Sequence, residues 1–372
     1  EEAKLNYALE GVAGQSVIVG EDPAEWLDSN QCQDCFLPAF NLRPKGTIQY
    51  LLAIQNFQKD DRVSKFRFGI VASSDNHKAR PGNGYKEINR REMTEASGPA
   101  NSAGFLFGFR EGEGPYGKSV NRNWTRETIP PGPIEMERTA SFFYTGGLVA
   151  THSNDKSRDS IWSSLKNKEV YATSGTRILL WFDLLNSDEG IIPMGSETQM
   201  KSNPRFIVKA AGSFKQKPGC PEYAVNALGR DRIKELCRNE CYNPSDIRKK
   251  IDRIEIVRIR PQLNDNEEVS NLIEDPWKVH QCSNGEVCEF TFSDNDFDQT
   301  KRDAVYYVKA IEENSKIINA DNLRCEFDEF GNCKSVNICS GSALITPYED
   351  DCLAEDQERA WSSPIFVDYK KY

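Results

Sequence analysis

Asp75 and His77 are the residues of this sequence whose types and spacing point most directly to chemistry. On an extended chain, residues i and i+2 face the same side, so a carboxylate and an imidazole there can reach one metal ion or one substrate together. His152 closes a short apolar run, Leu148 to Ala150. It is a second candidate, as a metal ligand or an acid/base group, provided that its strand shares a sheet with the one before Asp75. Lys78 and Arg80 follow the first motif and would steer an anionic substrate. His280 has no carboxylate motif beside it and reads as a surface residue.

Other patterns carry less. Gly112-x-x-x-x-Gly117-Lys118-Ser119 has the form of a phosphate-binding loop, but the residues after it lack helical periodicity and run into Pro130-Pro131. Without a helix starting at the lysine, no amide dipoles face a phosphate, and Glu111, Glu113 and Pro115 oppose an anion further. Asp294-x-Asp296-x-Asp298 resembles the opening of a calcium loop, yet Gln299 replaces the turn glycine and Val305 the bidentate glutamate, so it reads as a solvated acidic loop.

The elements that must position these residues follow from periodicity. Residues 1 to 60 read as helical with one irregular interruption; Asp22-Pro23-Ala24-Glu25 has the form of a capping box, and Ile48, Leu51, Leu52 and Ile54 mark an amphipathic stretch. Phe66 to Ala72 reads as a largely buried strand that delivers Asp75 at its carboxyl end, the end where parallel sheets and barrels build sites. Residues 78–145 are rich in Gly, Pro, Asn, Arg and Glu and form a long irregular insertion. A second unit follows, with a strand at Leu148 to Ala150 and a helix near Ser157 to Lys168 whose apolar face is Ile161, Trp162 and Leu165. From Arg177 the period changes to two, and strands at 205–211, 253–260, 287–292, 304–311 and 364–369 suggest an antiparallel β-sandwich.

Composition narrows the class. The chain has 372 residues, with 47 Lys and Arg against 57 Asp and Glu, a formal net charge of −10 that argues against a generic nucleic-acid binder. No apolar run reaches the length of a membrane span. Nine of the 11 cysteines fall between 220 and 352, which reads as structural disulfides in a periplasmic or extracellular protein. Cys32-x-x-Cys35 and Cys237-x-x-x-Cys241 lack the partner motifs of a zinc site. Three histidines cannot by themselves furnish a multi-metal centre. The chain shows no signal peptide and starts at Glu1, as expected of a processed or truncated product.

As a set, Phe66 to His77, Gly146-Gly147-Leu148-Val149-Ala150, Arg158-Asp159-Ser160-Ile161-Trp162 to Gly175, and Glu358 to Ile365 resemble an uncharacterised bacterial family of unknown function related to the PHP (polymerase and histidinol phosphatase) metallohydrolases. The resemblance implies a partial, distorted (β/α) barrel over residues 1–176, interrupted by the 78–145 insertion, ahead of a disulfide-rich β-sandwich-like domain over 177–372. It implies a metal-dependent, phosphoesterase-type hydrolase with Asp75 and His77 as ligands of divalent zinc, manganese or iron and a small anionic or phosphorylated substrate. The PHP pattern opens with HxH, and no histidine precedes His77 here. The chain is therefore expected to be the C-terminal part of a longer protein, needing its missing N-terminal part for turnover. The alternative is a secreted, disulfide-braced binding or structural module without catalysis.

Overall fold

A computed structural model describes residues 47–57, 64–73, 147–283, 285–318, 325–327, 329, 333–336 and 353–370. The capping box near Asp22, the 78–145 insertion, the Gly112–Ser119 loop, and Asp75, His77, Lys78 and Arg80 lie outside these residues. The described chain falls into two units. The smaller contributes an antiparallel hairpin of two short strands, Cys325–Phe327 and Cys333–Val336. The larger holds the candidate site.

The larger unit begins with helix α1 (Ile48–Ala53) and the short pair β1 (Gln55–Asn56) and β2 (Ser64–Lys65). There follow β3 (Leu148–Thr151), α2 (Arg158–Lys166), β4 (Val170–Thr173), β5 (Leu179–Ser187), β6 (Gly190–Pro193), β7 (Glu197–Met200), β8 (Arg205–Ala211) and β9 (Phe214–Gln216). Next are α3 (Glu222–Leu228), α4 (Arg230–Cys237), β10 (Pro244–Arg248), β11 (Ile251–Ile259), β12 (Ile273–Gln281), β13 (Val287–Ser293), the one-turn α5 (Phe297–Thr300) and β14 (Ala304–Ile318). Numbering the hairpin strands of the smaller unit β15 and β16, the chain closes with β17 (Leu353–Ser362) and β18 (Ile365–Tyr369).

Two sheets organise the unit. One has the order β12-β11-β14-β17-β4-β3, with β18 and β7 attached beside β14; the other has the order β13-β8-β5-β6. Strict alternation sorts their side chains. Ile254, Ile256, Tyr306, Val308, Ala310, Ile365 and Val367 face Leu180, Phe182, Leu184, Phe206, Val208 and Ala210 across one shared core. The intervening residues Val257, Ile259, Val305, Tyr307 and Phe366 point to the opposite face, which Leu52, Ala53 and Ile70 cover. In the shared core the Phe206 ring lies 4.8 Å from Tyr306 and 5.0 Å from Phe292. Phe206 and Tyr306 are fully buried, and each such side chain contributes roughly 2 kcal/mol of transfer free energy.

This arrangement corrects the barrel. No closed barrel occurs among the described residues, and β3, which the implied barrel would include, pairs antiparallel with β4, as β4 does with β17. A strand, a helix and a strand in succession read like a parallel crossover. Here α2 is one nine-residue helix after which the chain reverses at Lys168, a residue with φ of 64°, and the His152 N–H closes on Glu169 O at 2.9 Å. Strands from both sides of the expected boundary at 176/177 thus share one sheet.

Phe66 to Ala72 also departs from expectation, since it joins no ladder among the described residues. Ile70 is buried, Phe66 and Val71 are exposed, and the Ile70 N–H is satisfied by Ser363 Oγ at 3.0 Å instead of by a strand. Helix α2 forms where periodicity places it, its N-terminus capped by Ser157 Oγ, which accepts from Ser160 N at 3.2 Å. Its Ile161–Trp162–Leu165 face, however, is exposed, and the side it buries carries Ser164. That small residue lets the helix approach β3, where its hydroxyl donates to His152 O at 2.6 Å.

Candidate functional site

His152 follows the last residue of β3, and its ring reaches from the first sheet toward the second. Nε2 lies 2.8 Å from Leu180 O, and because a carbonyl only accepts, Nε2 is the donor of this bond. The ring packs against Tyr171, 5.4 Å between centroids, and Trp181, 5.8 Å. Tyr171 donates its hydroxyl to Ile178 O at 3.0 Å, and burial pushes its pKa up to about 12, so it stays protonated at any physiological pH.

Asp183 is the charged residue of this neighbourhood that motif reading missed. It lies two residues beyond Trp181 on the same face of β5, and burial raises its pKa, partly offset by the electrostatic pull of His152. The signal was present in the sequence as one carboxylate interrupting the apolar stretch 178–185 at an alternate position. An imidazole near a half-buried carboxyl has the parts of an acid/base pair.

The described residues do not bring His152 to the approach of Asp75. A Cβ placed on Gly147, just before β3, would lie 2.7 Å from Ala72 Cβ and 3.1 Å from both Ser73 O and Thr173 O. A Cβ on Gly69 would instead meet Lys168 and Val170. From Gly69 to Ser73 the chain therefore runs along β4 in the same direction and against β3. Ser73 ends beside Gly147, and His152, hydrogen-bonded to Glu169, sits at the other end of the pair. Two apolar segments each ending in a polar motif look alike in a sequence, which does not show that they run in opposite directions.

The remaining candidates resolve differently. The Asp294–Asp298 loop is no cation cradle and is not solvated throughout: Asp294 is 1% exposed and accepts from both Arg258 Nη1, at 2.9 and 3.0 Å, and the Tyr306 hydroxyl at 2.6 Å. Asp296 pairs with Arg258 and Arg260, each at 3.3 Å. His280, read as a surface residue, stacks on Phe290 with centroids 3.9 Å apart. Among the described residues one group, Cys220, Cys237 and Cys241, has three donor atoms within reach of a single ion, but a disulfide joins the first and last. A second disulfide joins Cys282 to Cys288. These bonds are compatible with an extracellular location, and no described helix is long and apolar enough to cross a membrane.

Residues 53–217 match a family described as Protein of unknown function (DUF3604). The match includes Asp75, His77, His152 and Asp183. An uncharacterized protein of Chlamydia muridarum is 28% identical over 123 residues, 32% of this chain and 19% of the relative, so the chain spans about a fifth of that relative's length at most. No solved structure matches the chain significantly. Neither description names an activity, and neither links the chain to PHP metallohydrolases.

Proposed function

We propose that the chain is part of a longer metal-dependent hydrolase of the phosphoesterase type, in which Asp75 and His77 are metal ligands and Lys78 and Arg80 attract an anionic substrate. The observation that carries this reading is the anchored approach to the motif. Ile70 is buried, its N–H is held by Ser363 Oγ, and Ala72 and Ser73 are pressed against Gly147, so the chain is fixed two residues before Asp75. A ligand pair needs such support, because looseness of about 1 Å in its base degrades a metal site.

The donor set suits the metal. One carboxylate oxygen and one imidazole nitrogen are acceptable to zinc, manganese and iron alike. Two ligands leave the rest of the coordination to other parts of the protein, in keeping with a chain that spans a small share of its relative. Such an ion, when bound, would activate water and stabilise charge on a phosphoryl oxygen. His152, at the far end of β3, is given no place at the metal; its fixed ring positions the β3–α2 corner against β5.

The test is metal content and phosphoester hydrolysis of the longer protein, with and without chelator, for wild type, Asp75→Ala and His77→Ala. Both substitutions are expected to lower bound metal and to cut turnover by at least about 100-fold. Unchanged metal content and turnover in either variant would refute the assignment. A second reading, the disulfide-braced binding module without catalysis, is favoured by the way the buried charges around Arg258 are spent on one another. It predicts a protein with no chelator-sensitive activity at all.

A further inference from the structure

Where β10 turns into β11, the chain passes through Lys249 and Lys250 and lies against the link between β8 and β9. The approach is close: a Cβ placed on Gly212 would lie 1.9 Å from Lys249 O, so only glycine fits there. Lys249 N donates to Ser213 O at 2.8 Å, and Glu313 N donates to Lys250 O at 2.9 Å. The pairing of β11 with β14 sets Ile251 opposite Glu312. This framework brings two ionisable side chains together in the interior, for Glu312 is 0% exposed and Lys249 8%.

Two opposite charges buried side by side ordinarily close onto each other, because the hydrogen bond between them offsets part of the lost hydration. Here they do not. Lys249 Nζ lies 4.0 Å from Glu312 Oε2, beyond hydrogen-bond reach, and that oxygen has no hydrogen-bond partner among the described residues. The other oxygen, Oε1, accepts the Ser213 backbone N–H. Burial raises the pKa of Glu312 and outweighs the pull of Lys249, and the buried Glu358 adds repulsion in the same direction. The neutral carboxyl is thereby favoured, and that is the form an amine can attack.

We propose that Lys249 and Glu312 are the site of an intramolecular isopeptide bond, an amide between Lys249 Nζ and Glu312 Cδ that forms within the folded protein. A proton passes from the ammonium to the carboxylate, leaving a neutral amine beside a neutral acid. Nζ then attacks Cδ and the N–C bond forms, while the Ser213 N–H stabilises the negative charge that develops on Oε1. The Cδ–Oε2 bond breaks, and Oε2 leaves as water with the carboxyl proton and one proton from the nitrogen. One ammonium and one carboxylate become one amide and one water, so no oxidant, reductant or other reactant is consumed.

The arrangement suits the reaction in three respects. The oxygen that departs is the one without a partner, the oxygen that stays already has its donor, and the product removes two charges from the interior. The bond also changes what is tied. It joins the β10–β11 turn to β14 and so closes a loop that holds β11, β12, β13 and the Cys282–Cys288 disulfide, which leaves the unfolded chain less freedom to gain. It requires no metal and holds whether or not Asp75 and His77 bind one.

The intact mass of the full chain, folded first and then fully reduced and denatured, tests the proposal together with peptide mapping. The wild type is expected to be lighter than its sequence by one water molecule, with the peptide that contains Lys249 joined to the one that contains Glu312. Lys249→Met and Glu312→Leu are each expected to restore the mass of their own sequence. The wild-type measurement decides the matter even where neither variant folds. A wild-type mass equal to that of the sequence, with the two peptides separate, overturns the proposal. So does a missing water that maps to other residues, such as a cyclised Glu1, while Lys249 and Glu312 stay unlinked.

Discussion

Arg258 spreads its guanidinium over three carboxylates while its Cζ lies 4.2 Å from the Trp277 ring centroid. Nη1 meets both oxygens of Asp294, and Nε and Nη2 meet Glu274 at 2.6 and 2.9 Å. Burial works to raise the pKa of Asp294, but the Tyr306 hydroxyl and the Arg258 guanidinium outweigh it and hold the carboxyl below its ordinary range. A carboxyl lowered in the fold adds stability that is fully present above its unfolded pKa and is lost as pH falls through the folded one. Asp294→Ala is expected to cost about 3 kcal/mol near neutrality, because it strands part of a buried guanidinium. The penalty should shrink toward the acid end of a urea-denaturation series; a constant penalty across that series, or one below about 0.5 kcal/mol, would contradict this account. The spacing of the three aspartates was legible in the sequence. The neutralisation of Asp294 and Asp296 was not, because Arg258 lies 36 residues before Asp294 and periodicity carries no information about such a partner.

Elements were legible in kind and less so in relation. Ser157 and the residues after it announce a capped helix, and α2 begins there. The direction of the strands around it depends on the turn at Lys168 and on what that turn packs against. Gly195 fits into this corner with φ of 87°, its N–H bonded to Pro364 O at 3.0 Å; a Cβ there would meet the Lys168 backbone carbonyl at less than any real contact distance. Gly195→Ala is expected to destabilise the protein by roughly 2 kcal/mol or more, since both the conformation and the space refuse the methyl group. Gly190→Ala is the control, because it has a similar φ of 93° and nothing within 4 Å. Equal effects of the two substitutions in thermal denaturation would show that the contact with Lys168 contributes nothing.

Across the whole larger unit, the two sheets are held by their shared apolar core and by one covalent link. Cys282 follows β12 of the first sheet and Cys288 lies in β13 of the second, so their disulfide closes the sandwich at its edge. Replacing both, Cys282→Ser with Cys288→Ser, is expected to cost roughly 2 kcal/mol, the chain-entropy value for so short a loop, and to leave the fold intact because the core remains. Loss of cooperative unfolding in the double variant would mean that the core alone does not hold the sheets together. The alternation of apolar residues from 177 onward, the clustering of cysteines and the i, i+2 spacing of Asp75 and His77 were determined by the sequence itself, because each is a property of neighbours along the chain. Only the tertiary structure decided that β4 pairs with β17, that β3 runs against the segment leading to Asp75, and that His152 is locked onto Leu180 O at the opposite end. Those outcomes depend on contacts between residues far apart in sequence, where strand direction, burial and hydrogen-bond satisfaction must be met at the same time.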